Sequence, residues 1–229
     1  MTPARAIHPN AITGAGTRLQ GIFSPGDTAF EKSAWHSHPG PMVALMRHGR
    51  ISGLEVKRFI GASNLPLDSL GRAQARSWSP RFNARPPDLV LSSPLGRCRH
   101  TAALACPGHA PHIIPGLSEI FLGQWEGRAF ADIKKETPHA FEERGRHLDH
   151  FRPPGGESFS DLSHRVWQAL TPFWPGGNGS RLAPHRTLVV THAGVIRVIL
   201  CRILGIPLKS LFLLKPDYGQ LFLLANPGM

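Results

Sequence analysis

The sequence predicts an α/β fold, a domain organised around a mainly parallel β-sheet. Two observations carry this prediction. Short apolar runs recur along the chain, and longer segments of helical character, most of them bounded by Gly or Pro, lie between them. Strands are expected at Met42 to Met46, Asp88 to Ser92, His112 to Ile114, Thr187 to Thr191 and Gln220 to Leu224. Helices are expected at Leu67 to Phe82, Leu95 to Ala105, Arg128 to His150, Ser158 to Trp174 and Val195 to Leu204. Strands that alternate with helices pair in parallel, because the helix supplies the crossover.

The 229 residues suit one full-sized domain with a tail. Residues 1–41 are rich in Gly, Pro, Ser and His and show no periodicity, so they are read as a flexible or loosely packed extension, with residues 42–229 as the domain. Arg5 and Arg18 stand without any acid before Gly26, but Pro3, Pro9 and several glycines break an amphipathic helix and no apolar signal core follows. No targeting segment is expected.

Hydrophobic residues make up 41% and charged residues 18%, enough for a sizeable core, which sets aside collagen-like, coiled-coil and wholly disordered classes. A net charge of +11 favours an anionic partner, whether a phosphorylated metabolite, nucleic acid or an acidic membrane surface. No apolar run approaches the roughly 20 residues of a membrane span, and Val195 to Leu204 is interrupted by Arg197 and Arg202. Cys98, Cys106 and Cys201 form no C-x-x-C pair, so neither a disulfide framework nor a thiolate zinc site is expected and a reducing cytoplasm fits.

In a parallel sheet, ligands gather beyond the carboxyl ends of the strands. There the sequence places Arg47-His48-Gly49, then Ser92-Ser93-Pro94 with Arg97, and Thr191-His192-Ala193-Gly194. Converging Arg and His suit a phosphoryl group: guanidinium is a planar fork for phosphate oxygens, and neutral imidazole is a nucleophile or donor. The glycine after each histidine motif permits close backbone approach. Other phosphate chemistries lack their residues. There is no G-x-x-x-x-G-K-[ST] loop, no cysteine with Arg six positions later and no D-x-D pair, so histidine is left as the nucleophile. The His36-Ser37-His38 and His109 to His112 pairs offer two ligands each and no third, so neither a metal nor any other cofactor is expected.

Five segments, in order, resemble the histidine phosphatase superfamily, also called phosphoglycerate mutase-like: Leu45-Met46-Arg47-His48-Gly49, Leu91 to Arg97, Leu117 to Gly127, Pro154-Gly155-Gly156-Glu157-Ser158 and Thr191-His192-Ala193-Gly194. The resemblance implies a single three-layer α/β/α domain. It implies that His48 attacks phosphorus to give a phosphohistidine, its Nδ1 held by a backbone carbonyl, while Arg47 and Arg97 clamp the phosphoryl oxygens. His192 and the Ala193 amide would donate to the same oxygens. Glu119 matches the family's proton donor, and Glu126 is assigned to loop support. Gly156, Glu157 and Ser158 are read as a turn and helix start, with Asp161 near the capping-box position.

The chain departs from the family after R-H-G, where Arg50, Ile51 and Leu54 replace the usual polar residues. Arg58 to Gly61 resume the pattern, so Arg50 and Gly61 are candidate substrate contacts. The segment between Glu119 and Glu157 is short compared with the mutases, which favours a phosphatase of the branch resembling α-ribazole phosphatase and fructose-2,6-bisphosphatase. The expected partner is a small phosphorylated substrate, with neither membrane nor nucleic acid. Two alternatives stand beside it: a phosphoglycerate-type mutase, and a catalytically decayed anion- or nucleic-acid-binding protein on the same fold. The latter lacks any basic cluster interleaved with aromatics.

Overall fold

A computed structural model describes residues 17–53, 55–174 and 185–225. Within them lie six strands: β1 (Arg18–Phe23), β2 (Met42–Arg47), β3 (Leu89–Ser92), β4 (His112–Ile113), β5 (Arg186–Thr191) and β6 (Leu221–Ala225). The α-helices are α1 (Ala34–Ser37), α2 (Ser69–Arg76), α3 (Ser79–Ala84), α4 (Gly96–Ala105), α5 (Phe130–Glu136), α6 (Pro138–Arg146), α7 (Phe159–Leu170) and α8 (Ala193–Leu204). The sheet order is β1-β6-β2-β5-β3-β4. β2, β5, β3 and β4 run parallel, while β6 pairs antiparallel with both β2 and β1.

Alternation along the strands divides the core into two. Val43, Leu45, Leu91, Val189 and Leu224 face one side with Leu162 and Val166 of α7 and Val195 and Ile199 of α8. Met42, Ala44, Met46, Val90, Leu188 and Val190 face the other with Trp78, Phe82, Cys98 and Ala102. Every residue of β5 and β6 is buried, as a sheet covered on both faces requires. The result is the three-layer α/β/α domain.

Three expected helices are shorter or divided. Leu67 to Phe82 breaks into α2 and α3, with Pro80 in the first turn of α3. Arg128 to His150 divides at Thr137, because Pro138 lacks the N–H that would continue α5 and instead opens α6. Ser158 to Trp174 ends as an α-helix at Leu170, and Pro172 lies in the 3₁₀ turn that follows. The expected cap is present: Ser158 and Asp161 form a reciprocal capping box.

The expectation of a loose extension through Pro41 is corrected for residues 17–41; residues 1–16 lie outside the described residues. β1 adds an antiparallel edge to β6, with a register shift at Gly21. Phe30 and Trp35 are wholly buried, Phe30 edge-on to Phe23 and Trp78. Large aromatic side chains hold this segment down, since each buries substantial area that no periodic pattern advertises.

Candidate active site

β2 and β5 lie side by side in register, Arg47 opposite Thr191, so both histidine motifs leave the sheet at one edge. The His48 amide donates to the Thr191 carbonyl at 2.9 Å. The His48 side chain is buried, and its Nδ1 donates to the Gly49 carbonyl at 2.8 Å, which leaves the lone pair on Nε2. Burial, then the charges of Arg47 and Arg97, hold its pKa well below the ordinary 6.5, so the ring is neutral at neutral pH. Gly49 must lack a side chain: a Cβ there would stand 2.2 Å from the Gly71 carbonyl oxygen.

The two arginines are held by backbone carbonyls. Arg47 donates from Nη1 to the Pro216 carbonyl at 2.8 Å, and its guanidinium lies 3.6 Å from the centre of the Tyr218 ring. Its Nε is buried without a partner among the described residues. Arg97, in the first turn of α4, donates from Nη2 to the Gly61 carbonyl at 2.7 Å and from Nη1 to the Ser63 carbonyl. Its Nε donates to His192 Nδ1 at 3.2 Å. His192 therefore carries its proton on Nε2, which donates to Ser93 Oγ at 2.7 Å. Burial first, then the neighbouring His48 and both arginines, keep this ring neutral as well.

Glu119, half-buried, lines the same cavity as His48. Its carboxylate accepts from the Gly194 amide and the Ile120 amide, each at 3.0 Å. A Cβ on Gly194 would come within 2.2 Å of the Glu119 carboxylate, so the glycine of the second histidine motif makes room for the acid. The loop bearing Glu119 is gripped from behind by Arg165 of α7. Arg165 donates to the carbonyls of Gly116 and Ser118 at 3.0 Å and pairs in bidentate fashion with Glu157 at 2.8 and 2.7 Å. Glu157 also accepts from the Phe121 amide at 2.9 Å. Glu126 accepts from the Gly61, Ala62 and Ser63 amides and from Ser63 Oγ, bracing the loop whose carbonyls hold Arg97.

Arg47, His48, Arg97, Glu119 and Ala193 thus line one cavity of about 350 Å³. His192 stands behind its wall, fully buried with both ring nitrogens engaged, rather than aimed into it as the resemblance implied. Arg50 is turned away: its Nε pairs with Asp68 at 2.6 Å, in a separate depression. The Gly61 amide donates to Glu126 and its carbonyl accepts from Arg97, so its backbone braces the loop that holds the guanidinium. Ile51 lines the cavity, and Leu54 lies outside the described residues.

The sequence reading did not single out Lys57, Arg197 or Tyr218, which also line the cavity. Tyr218 reaches it because β6 runs antiparallel, so the turn before β6 lies at the same edge; Arg47 N donates to the Gln220 carbonyl there. A smaller apolar cavity of about 160 Å³ adjoins, sharing Glu119 and Arg197. In it Arg144 lies 5.3 Å from the Phe59 ring centre and 5.5 Å from that of Phe212. Among the described residues, no three His, Cys, Asp or Glu gather where a metal ion could be held.

A parallel sheet edge that gathers a buried histidine, two arginines and a carboxylate around one cavity suits phosphoryl transfer. The sequence profile of the histidine phosphatase superfamily (branch 1) matches residues 43–225, and the chain belongs to that family. Relatives include the adenosylcobalamin/alpha-ribazole phosphatases of Salmonella typhimurium, 29% identical over 76% of this chain and 85% of theirs, and of Escherichia coli, 30% identical over the same shares. Among solved structures, the alpha-ribazole phosphatase of Shigella flexneri superimposes with a TM-score of 0.69 at 29% identity, over 78% of this chain and 87% of that one. A mycobacterial glucosyl-3-phosphoglycerate phosphatase gives a TM-score of 0.63 at 27% identity, over 78% and 86%. The protein is accordingly an enzyme, a histidine phosphatase, and its family supports hydrolysis of a phosphomonoester through a phosphohistidine.

Proposed function

We propose that the protein hydrolyses a small phosphorylated metabolite, with His48 as nucleophile and Glu119 as proton donor. The observation that carries this reading is the neutral, buried His48, its Nδ1 bonded to the Gly49 carbonyl and its ring flanked by Arg47 and Arg97. His48 Nε2 attacks phosphorus, the P–O bond to the leaving group breaks, and Glu119 gives that oxygen its proton. Arg47, through its buried and otherwise unpartnered Nε, and Arg97, through its remaining N–H groups, meet the charge that builds on the phosphoryl oxygens. The Ala193 amide, in the first turn of α8, adds a backbone donor. Glu119, now ionised, takes a proton from the water that attacks the phosphohistidine. Phosphate leaves and His48 returns to its neutral form. His192 acts by fixing Arg97, through the Nδ1 it offers to the guanidinium.

The cavity beyond the clamp carries Lys57, Arg58 and Arg197 with, among the described residues, no acid besides Glu119. Such a lining favours a leaving group that bears hydroxyls or a second anionic group over a purely apolar one. The phosphatase relatives act on alpha-ribazole phosphate or glucosyl-3-phosphoglycerate by their names, and both kinds of compound enter the test. Phosphate release is measured from a panel of phosphomonoesters, with and without a strong chelator. The reading expects release from at least one small metabolite, undiminished by chelation. Transfer of the phosphoryl group between two positions of one substrate, with no free phosphate, would make the protein a mutase instead.

A further inference from the structure

A second cavity, of about 460 Å³, opens at the opposite end of the sheet from His48. It sits where β5 and β3 begin: the Met42 amide donates to the His185 carbonyl at 2.7 Å, and the Asp88 amide to the Arg186 carbonyl at 2.8 Å. β2 and β5 are each six residues long, so this end lies about 20 Å from the catalytic edge at ~3.3 Å per residue. One wall is the segment His36 to Pro39, which precedes residue 43 and so stands outside the region matched by the family profile.

The charges gathered there do not balance. Among the described residues, two guanidinium groups, Arg85 and Arg186, stand against the single carboxylate of Asp88, and three imidazoles, His36, His38 and His185, complete the lining. That carboxylate already accepts from the Arg186 amide at 2.7 Å. Neither arginine makes an ion pair among the described residues. Arg186 donates from Nε to the Trp35 carbonyl at 2.6 Å and from Nη2 to the His38 carbonyl at 3.3 Å, and its guanidinium lies 6.0 Å from the centre of the Trp35 ring. Trp35, wholly buried, anchors the other arginine too, its indole N–H donating to the Arg85 carbonyl at 3.0 Å. Trp35 thus holds the Arg186 side chain and the Arg85 backbone at one cavity. His36 Nε2 is buried without a partner among the described residues. Burial and then the charges of Arg186 and Arg85 hold His36 below its ordinary pKa against the pull of Glu31, and burial and then Arg85 lower Arg186 against that of Asp88, so the two guanidinium groups repel one another. An anion seated among them would remove that repulsion.

We propose that this cavity is a second anion-binding site, remote from the catalytic cleft, which takes a multiply charged small anion, a polyphosphate or a polycarboxylate, between Arg85, Arg186 and the three imidazoles. Phosphate and carboxylate share the chemistry that the guanidinium fork recognises, and the test separates them. The probes are inorganic pyrophosphate and citrate, with stoichiometry followed by equilibrium dialysis at low ionic strength. Arg85 and His185 are exposed, so Arg85→Glu and His185→Ala test the site without opening the core. Wild-type protein should bind one or other anion at a site additional to the catalytic one. Arg85→Glu should weaken that second binding about ten-fold or more, in line with loss of a charge-assisted contact, and His185→Ala by less. The same anion should shift the imidazole signals of His36, His38 and His185 in wild-type protein and leave them in place in Arg85→Glu. Absence of a second site for both anions, or second-site affinity unchanged in Arg85→Glu, would overturn the proposal.

Discussion

Arg165 never touches the cavity, yet the structure makes it the support of the proposed acid. Its guanidinium binds the carbonyls of Gly116 and Ser118 and the carboxylate of Glu157, which in turn holds the Phe121 amide. Residues 116–121 are therefore held from α7 by this side chain, alongside the Thr191 hydroxyl on the Leu117 carbonyl and the Gly194 amide on the Glu119 carboxylate. Arg165→Met keeps the length of the side chain and removes every donor. Both partners of the ion pair are only about a quarter exposed (26% and 25%), so the pair counts as largely desolvated. Breaking such a pair from one side costs about 3–5 kcal/mol, because Glu157 is left charged and unmatched. For a chain of this length that corresponds to a fall in Tm of roughly 10 °C. The catalytic effect is separable from the loss of stability. Displacement of Glu119 by about 1 Å should lower kcat some 10²-fold for an alkyl phosphate, whose leaving oxygen needs the proton. An activated aryl phosphate should lose much less, and KM should move little because the arginine clamp is intact. Arg165→Lys should recover only part of either effect, since ammonium cannot form the bidentate pair. Steady-state kinetics on the two substrates, at a temperature where the variant is folded, supply the check. An equal loss for both substrates, or a loss confined to KM, would show that Arg165 does not act through Glu119.

Three further outcomes are expected. Arg97→Ala should lower kcat by about 10² or more and Arg97→Lys should restore part of it, whereas near-normal kinetics in the alanine variant would remove Arg97 from the clamp. Gly194→Ala should leave Tm within a few degrees, because the clashing carboxylate ends a flexible side chain, while hydrolysis of alkyl phosphates falls sharply; unchanged rates would mean that Glu119 does not work from beside Gly194. His48 and His192 both stay neutral in the folded protein well below 6.5, whereas the unfolded chain protonates them near that value. Stability from these two groups is therefore full above pH 6.5 and is lost as the pH falls through their depressed folded values, by up to about 1.4 kcal/mol per pH unit for each. Urea midpoints at pH 7.5 and pH 5 should differ accordingly, and equal midpoints would contradict the buried neutral rings.

Much of the site was legible because its residues sit in short motifs at strand ends, where local sequence fixes both the strand and the turn after it. His48, Arg97 and Glu119 needed only their own segments to be found. His192 and Gly61 were found too, but their hydrogen-bond partners, Arg97, Ser93 and Glu126, come from distant segments, so local pattern could not say which way they point. Arg50 was read as a candidate contact because it follows the motif, and Asp68 captures it instead. Tyr218 escaped notice because its position depends on β6 being antiparallel, which alternation of strands and helices does not reveal. The same limit hid β1, whose pairing with β6 joins residues some 200 apart in sequence. Phe30 and Trp35 lie in a segment rich in Gly, Pro and Ser, and neighbours distant in sequence, Trp78 and Phe82, account for their burial. The divided helices were foreshadowed by Pro80 and Pro138, which the helical pattern alone had overridden.

The central claim is that phosphate passes through His48. A rapid-quench reaction with a ³²P-labelled phosphomonoester tests it most directly. Wild-type protein should carry an acid-labile, base-stable label that maps to His48 and disappears as phosphate is released, and His48→Ala should carry none and release no phosphate. In Glu119→Gln the label should form from an activated aryl phosphate and persist, because the group that activates water is gone. A label that still forms in His48→Ala, or steady phosphate release from that variant, would contradict the account.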